Sequence, residues 1–426
     1  MREGSPGGAE SAGAAAHNCS RPPGRPVAAV RTAGFFLFVF LQMAWIALLL
    51  HHPDPVAELM TRDWSAFYRA GTSLLAGELS HIYPVTFDIF PHPRFPSGLY
   101  YLYPPFTLYL TAPLALLPPA WAYAACVLAQ VAAFLFAMAL LGRAVPGKPG
   151  DLLTVLLVVA GSAALNSVLI LGHTSAMLLL ILAAGMWGMR KDRPLAAGLL
   201  WSLLLIKPNW ALFLLVWILV ARRWRVLGGF LVGATLLLAS GLPLGLSLWR
   251  DWFATMRSYP AAVGELSPFW RHVTLYGFWR TVLPGDPARS GAHFAWIASI
   301  IPLIAAAAVT WWKVRIDRRT LPRLIGVFSL LVLTVNPYGH FYDALLLALP
   351  GAAWWMTRES YASRQLWIVV GGAIAFIFLW QHLSLWVLKE NAPALTGAAA
   401  AVWLVAELVD LWRPGREALA REPEER

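Results

Sequence analysis

Five ionisable side chains stand out in this chain because apolar sequence surrounds them: Asp63, His173, Lys207, His340 and Asp343. A carboxylate beside an acceptor hydroxyl can take its proton while that hydroxyl attacks an electrophile. A lysine, with one or two histidines, can stabilise the negative charge that grows on a departing phosphate in a low-dielectric cleft. The five could surround one site, with Asp63 the candidate catalytic carboxylate and Lys207, His173 and His340 candidate anion-side groups. Arg280 is a further phosphate-binding candidate. Each residue also has a plainer reading. Asp63 opens Asp63-Trp64-Ser65-Ala66-Phe67 and could cap the helix that follows. Lys207 could snorkel to headgroups, the histidines could be satisfied inside a bundle, and Asp343 could orient His340 or pair with a cation. Glu58, Glu78 and Asp88 read as solvated loop charges.

The elements that must position these groups are hydrophobic. Of 426 residues, 59% are apolar and 13% charged, against about a quarter charged in soluble domains. This composition makes the chain an integral membrane protein. Runs near the ~20 residues that span a bilayer are expected at 30–50, 121–141, 152–171, 174–187, 195–206, 210–220, 227–248, 294–312, 321–335, 341–355, 366–388 and 394–411. Residues 1–28 read as a disordered tail, 29–412 as one transmembrane domain and 413–426 as a second tail. The first apolar run lacks a small-residue cleavage site and reads as a retained anchor. Cys19 and Cys126 fall in the tail and in a span, which disfavours a structural disulfide.

The net charge of +11 does not point to nucleic acid, because the basic residues fall in short clusters between apolar runs, as cytoplasmic loops do. The run 106–117 is short and bounded by prolines. If it dips in without crossing, the clusters at 143–148, 190–193, 222–225, 315–323, 358–364 and 413–426 share one side with Arg21, Arg25 and Arg31. The expectation is twelve crossings with both termini cytoplasmic and outer segments at 51–102 and 250–293. Both outer segments are rich in aromatics, and Trp249, Trp252, Phe253 and Met256 have the spacing of an amphipathic interfacial helix. The turns Leu171-Gly172-His173-Thr174, Ile206-Lys207-Pro208-Asn209 and Asn336-Pro337-Tyr338-Gly339-His340 then share the outer side. The spans beside Lys207 are too short for a bilayer, which places its turn in a protein-lined cavity below the surface.

Phosphate loops, zinc-type Cys/His spacing and nucleophile-elbow serines are absent from the sequence, which disfavours ATP- or NAD-driven chemistry. No metal or cofactor is expected. The pattern Asp63…Phe67…Ala70…Gly77…Tyr83, then Tyr103-Pro104-Pro105, Pro113-Leu114-Ala115-Leu116-Leu117-Pro118, Gly198, Lys207-Pro208, Thr274-Leu275-Tyr276-Gly277 and His340 with Tyr342-Asp343 resembles glycosyltransferase family 87 of the GT-C superfamily, over roughly residues 30–390. The resemblance implies an all-α polytopic enzyme, a GT-C-like bundle of about 12 transmembrane helices with amphipathic helices in the first outer loop. It also implies a sugar taken from a polyprenyl-phosphate donor on the outer face of the cell membrane and passed to a lipid or glycan acceptor. The family's best-known members are mannosyltransferases acting on phosphatidylinositol mannosides. By this likeness Asp63 is the base, with Tyr103, Tyr342 and Asp343 in support. One departure is Gly172-His173, where relatives often carry Gly-Gln. The competing readings are a secondary transporter or lipid flippase, a ligase moving whole glycans, and a non-catalytic membrane scaffold. No inverted repeat is visible to favour the first.

Overall fold

The computed structural model describes residues 25–83, 100–266, 271–283, 286–389 and 392–413. Every regular element among them is helical, and the long apolar helices make the chain a multi-pass membrane protein. The first is α1 (Arg25–His51), so residues 25–28 belong to a helix and not to the expected tail. The rest of that tail, residues 414–426, Cys19 and Asp88 lie outside the described residues.

The segment that follows α1 folds as α2 (Pro55–Leu59) and α3 (Trp64–Leu75), and the run after Tyr103-Pro104 as α4 (Leu108–Ala115). Next come α5 (Pro119–Ala144), α6 (Pro149–Ala160), α7 (Ala163–Leu171), α8 (Ser175–Arg190), α9 (Pro194–Ser202), α10 (Pro208–Val220) and α11 (Trp224–Ser240). The second half holds α12 (Leu246–Leu266), α13 (Leu275–Val282), α14 (Asp286–Lys313), α15 (Thr320–Val335), α16 (Ala348–Met356), α17 (Arg364–Leu383) and α18 (Leu395–Trp412). Proline occupies the first turn of α2, α5, α6, α9 and α10, where its missing N–H costs nothing and its fixed φ suits the helix.

All twelve expected runs are helical, but among the described residues six segments meet the length and hydropathy of a span, or seven if α6 and α7, bent by 59°, count as one. The physical reason is the polar turns. Lys207-Pro208 and the Asn336–His340 turn cut long apolar stretches into pieces such as α10, whose 13 residues reach only ~20 Å of the ~30 Å hydrocarbon core. The eight residues of α4 also fall short of a crossing. This helix lies against α3, where Gly71 leaves room for the Thr111 carbonyl 2.6 Å from where a Cβ would sit.

Trp249 and Trp252 of α12 differ from an interfacial belt. Both are buried, with indole N–H groups donating to the carbonyls of Gly241 (3.2 Å) and Leu102 (3.1 Å). Only Phe253 of that face is exposed. Trp249 ties α12 to the end of α11, and Trp252 ties it to the segment ending at Leu102.

Candidate active site

Asp63 sits where α2 turns into α3. Its backbone is already helical (φ −56, ψ −34) and its side chain makes no capping hydrogen bond, so the capping reading fails and the carboxylate is left for another task. The first turn is closed by backbone bonds, Ser65 N–H to Arg62 C=O and Ala66 N–H to Asp63 C=O. The neighbouring Trp64 is fully buried, donates from Nε1 to the Leu59 carbonyl (2.7 Å), and packs on Tyr68 and Tyr123. This pins the backbone that carries Asp63. The carboxyl is half-buried. Desolvation pushes it up to about 6 from its ordinary value, against the opposing pull of Lys207, Arg271 and Arg62 and with a smaller push from Asp343. Arg62 itself is paired with Glu58 and lies over the Trp45 ring, so Glu58 is a structural partner and not a solvated loop charge.

Gly172 explains how His173 arrives. It ends α7 in the left-handed conformation (φ 66), and a Cβ there would sit 2.6 Å from that of Trp64. Only glycine gives both the turn and the close approach. The buried Cys126 thiol donates to the Gly172 carbonyl at 3.5 Å. His173 then stacks on Tyr342, with ring centroids 3.7 Å apart.

From His173 a polar chain runs through the protein interior. Ser175 at the start of α8 donates its hydroxyl to Asp343 Oδ1 (2.9 Å) and lies 3.0 Å from His173 Nδ1. With its one proton directed to Asp343, Ser175 Oγ can only accept from the ring, which sets His173 as the Nδ1–H tautomer. Lys207 Nζ donates to the same Asp343 oxygen at 2.7 Å, its side chain 15% exposed, and lies 5.4 Å from the centroid of Tyr342. Asp343 Oδ2 accepts from the His340 backbone N–H at 3.3 Å. Tyr103 reaches the chain from the turn before α4, 3.0 Å from Thr174 Oγ1 and 3.4 Å from His173 Nε2. Its ring packs on Phe67 of α3 and on Tyr101, giving the cluster an aromatic wall.

His340 completes the cluster from the Asn336–His340 turn. It forms an isolated antiparallel bridge with His272, the Val273 N–H donating to the Gly339 carbonyl at 3.0 Å, and the two imidazoles lie 4.8 Å apart. His272 Nδ1 is 3.2 Å from the Pro337 carbonyl. Burial lowers this ring to about 4, which keeps it neutral. Thr274-Leu275-Tyr276-Gly277 starts α13, with Thr274 Oγ1 accepting from the Gly277 N–H at 3.1 Å. Among the described residues, no three His, Cys, Asp or Glu side chains are grouped as a metal site requires.

The structure thus brings Asp63, His173, Lys207, His340, Asp343, Tyr103 and Tyr342 together. Arg280 lies in the last turn of α13. The guanidinium that acts on Asp63 and His340 belongs to Arg271. Ser175, His272 and Arg271 escaped the sequence reading. A serine opening an apolar helix directly after a polar turn was the available signal for the first.

An all-helical membrane bundle with a buried ion pair, a stacked histidine and an uncommitted carboxylate at one end has the makings of a membrane-embedded transferase. The chain belongs to glycosyltransferase family 87, whose profile matches residues 101–337. It is accordingly a membrane glycosyltransferase that uses a sugar donor and an acceptor. The matched stretch holds Tyr103, His173, Ser175, Lys207 and Arg271. Asp63 lies before it, and His340, Tyr342 and Asp343 after it. No curated protein matches the chain.

Proposed function

We propose that this enzyme moves a hexose of the mannosyl type from a polyprenyl-phosphate donor to a hydroxyl of a lipid or glycan acceptor, inverting the anomeric centre. Asp63 is the general base. The observation that carries this reading is a carboxylate free of any capping duty, half-buried and raised to about 6, beside a matched Lys207–Asp343 pair. At neutral pH such a group is still ionised, yet it is a stronger base than an ordinary aspartate. The acceptor O–H bond breaks toward Asp63 as the acceptor oxygen bonds to the anomeric carbon. The bond from that carbon to the phosphate oxygen breaks with its electron pair, so the leaving group needs no proton.

Lys207, held by Asp343, raises the local potential from behind the reacting atoms, and His340 borders the phosphate side. The stacked His173–Tyr342 pair keeps the floor of the cleft rigid. The spacing of basic clusters between apolar runs supports an extracytoplasmic site in the cell membrane with both termini cytoplasmic. Purified full-length protein should transfer label from a polyprenyl-phosphate sugar to membrane lipid or glycan acceptors. Label transfer from a nucleotide sugar with no lipid-linked donor present would overturn the reading.

A further inference from the structure

A cavity of about 350 Å³ opens among the loops at the far end of the bundle from the reacting groups. The length of α15 sets that separation. Its 16 residues hold the Asn336–His340 turn about 24 Å from Arg319, the residue before its start. The volume falls in the ~300–1,000 Å³ range of small-molecule sites. Three loops supply the walls: residues 146–148 after α5, Arg319 before α15, and residues 356–360 at the end of α16. Gly147 seats the first loop directly on α16, since a Cβ there would lie 2.9 Å from that of Met356. Arg358 ties the third loop to α6. Its guanidinium meets Asp151 at 3.1 Å, donates to the Trp355 carbonyl at 2.8 Å and lies over the Trp355 ring. Asp317 fixes the backbone under Arg319 by accepting from the Arg319 and Thr320 N–H groups, at 2.7 and 2.8 Å.

With Arg358 and Asp151 matched, Lys148 and Arg319 line the cavity against one further carboxylate, Glu359. All three are exposed, and neither cation forms an ion pair among the described residues. Two exposed indoles mark the membrane level at this end. Trp312 near the end of α14 and Trp412 at the end of α18 are 65% and 51% exposed. Arg323 and Asp410 hold the end of α18 beside the start of α15, and Trp412 is fixed by donating to Thr310 Oγ1 at 2.7 Å. Tryptophans so placed sit among lipid headgroups. We propose that this cavity is a phosphate site, with Lys148 and Arg319 as its ligands and an acidic phospholipid headgroup or a free phosphate as its occupant. The arginine offers a phosphate two parallel donors and the lysine a point charge. Basic pockets between membrane helices hold lipid phosphates in this way. A helix length separates this site from His340, so its occupant does not compete with the sugar donor.

The test uses full-length protein in nanodiscs of phosphatidylcholine with phosphatidylglycerol, and native mass spectrometry measures which lipid stays bound. In detergent, inorganic phosphate is titrated by calorimetry. Wild type should retain phosphatidylglycerol over phosphatidylcholine. Replacing both cations, Lys148→Gln with Arg319→Gln, should weaken that retention by about 10- to 30-fold, with melting unchanged because both side chains are exposed. Glu359→Gln should act with the opposite sign and tighten it. Arg315→Gln with Arg318→Gln removes the same charge from exposed positions outside the cavity and should leave retention near wild type. Retention of phosphatidylglycerol without calorimetric binding of inorganic phosphate assigns the site to a headgroup. Binding of inorganic phosphate that the Lys148→Gln, Arg319→Gln protein loses assigns it to the phosphate alone. Equal losses in the two double variants would reduce the effect to diffuse surface charge and overturn the proposal, as would a wild-type protein that binds neither probe.

Discussion

Two ionic clusters mark the two ends of α15, and their contrast separates structure from chemistry. At its start, Arg323 is 1% exposed and meets Glu407 and Asp410 of α18, at 3% and 0%. The guanidinium donates twice to Glu407 (2.9 and 2.6 Å) and once to Asp410 (2.9 Å). Tyr361 donates to Glu407 and lies under the guanidinium, and the Ala362 and Ser363 N–H groups donate to Asp410. Its three charged side chains are all buried. At the other end, Asp343 is enclosed in the same way by Lys207, Ser175 and the His340 N–H, but Asp63 beside it makes no capping bond and Arg271 is exposed. A sealed cluster fixes helices. A cluster with an uncommitted acid and an exposed cation can exchange protons and ligands.

The largest effect should come from breaking the sealed end. Arg323→Met leaves two buried carboxylates uncompensated, at a cost of about 3–5 kcal/mol. The variant should be recovered poorly and melt well below wild type in detergent. An unchanged melting temperature would show that the α15–α18 clamp is dispensable.

Lys207→Met should act on both levels. It strands Asp343 and removes the background charge, so catalytic efficiency for the lipid donor should fall by on the order of 10²-fold, more than the acceptor KM changes. Unaltered donor dependence would show that Lys207 only balances the Asp343 charge. Ser175→Ala is the smallest perturbation. It removes one of several hydrogen bonds to Asp343, worth about 0.5–1.5 kcal/mol, and releases the tautomer of His173. Transfer should drop about 3- to 10-fold with little change in melting. Wild-type rates would show that the serine only fills space.

Much of this was legible in the sequence because ionisable groups are conspicuous in apolar surroundings. Asp63, His173, Lys207, His340 and Asp343 could be picked out on that ground, as could the helical class. Their pairing could not, since Lys207 and Asp343 are separated by 136 residues and meet only through the packing of turns. Arg323 misled for a related reason. It closes a run of basic residues that reads as a loop cluster, yet it lies in the first turns of α15 with its carboxylate partners more than 80 residues away. Trp249 and Trp252 have the spacing of an amphipathic interfacial helix, and only their indole hydrogen bonds reveal docking. Hydropathy does not register that a proline-broken run yields short helices, so among the described residues only six or seven of the expected runs reach the length of a span.

The central claim is that Asp63 takes the acceptor proton, and the most direct measurement is donor-dependent transfer by Asp63→Asn beside wild type, with thermal unfolding recorded on the same preparations. Asparagine keeps the shape and replaces no capping bond, because none exists, but it cannot accept the proton at neutral pH. The expected result is a loss of on the order of 10²-fold or more in transfer rate, unchanged melting, and a wild-type rate that falls as pH drops through about 6, where the raised carboxyl protonates. An Asp63→Asn protein that is folded and transfers sugar at the wild-type rate would contradict the account.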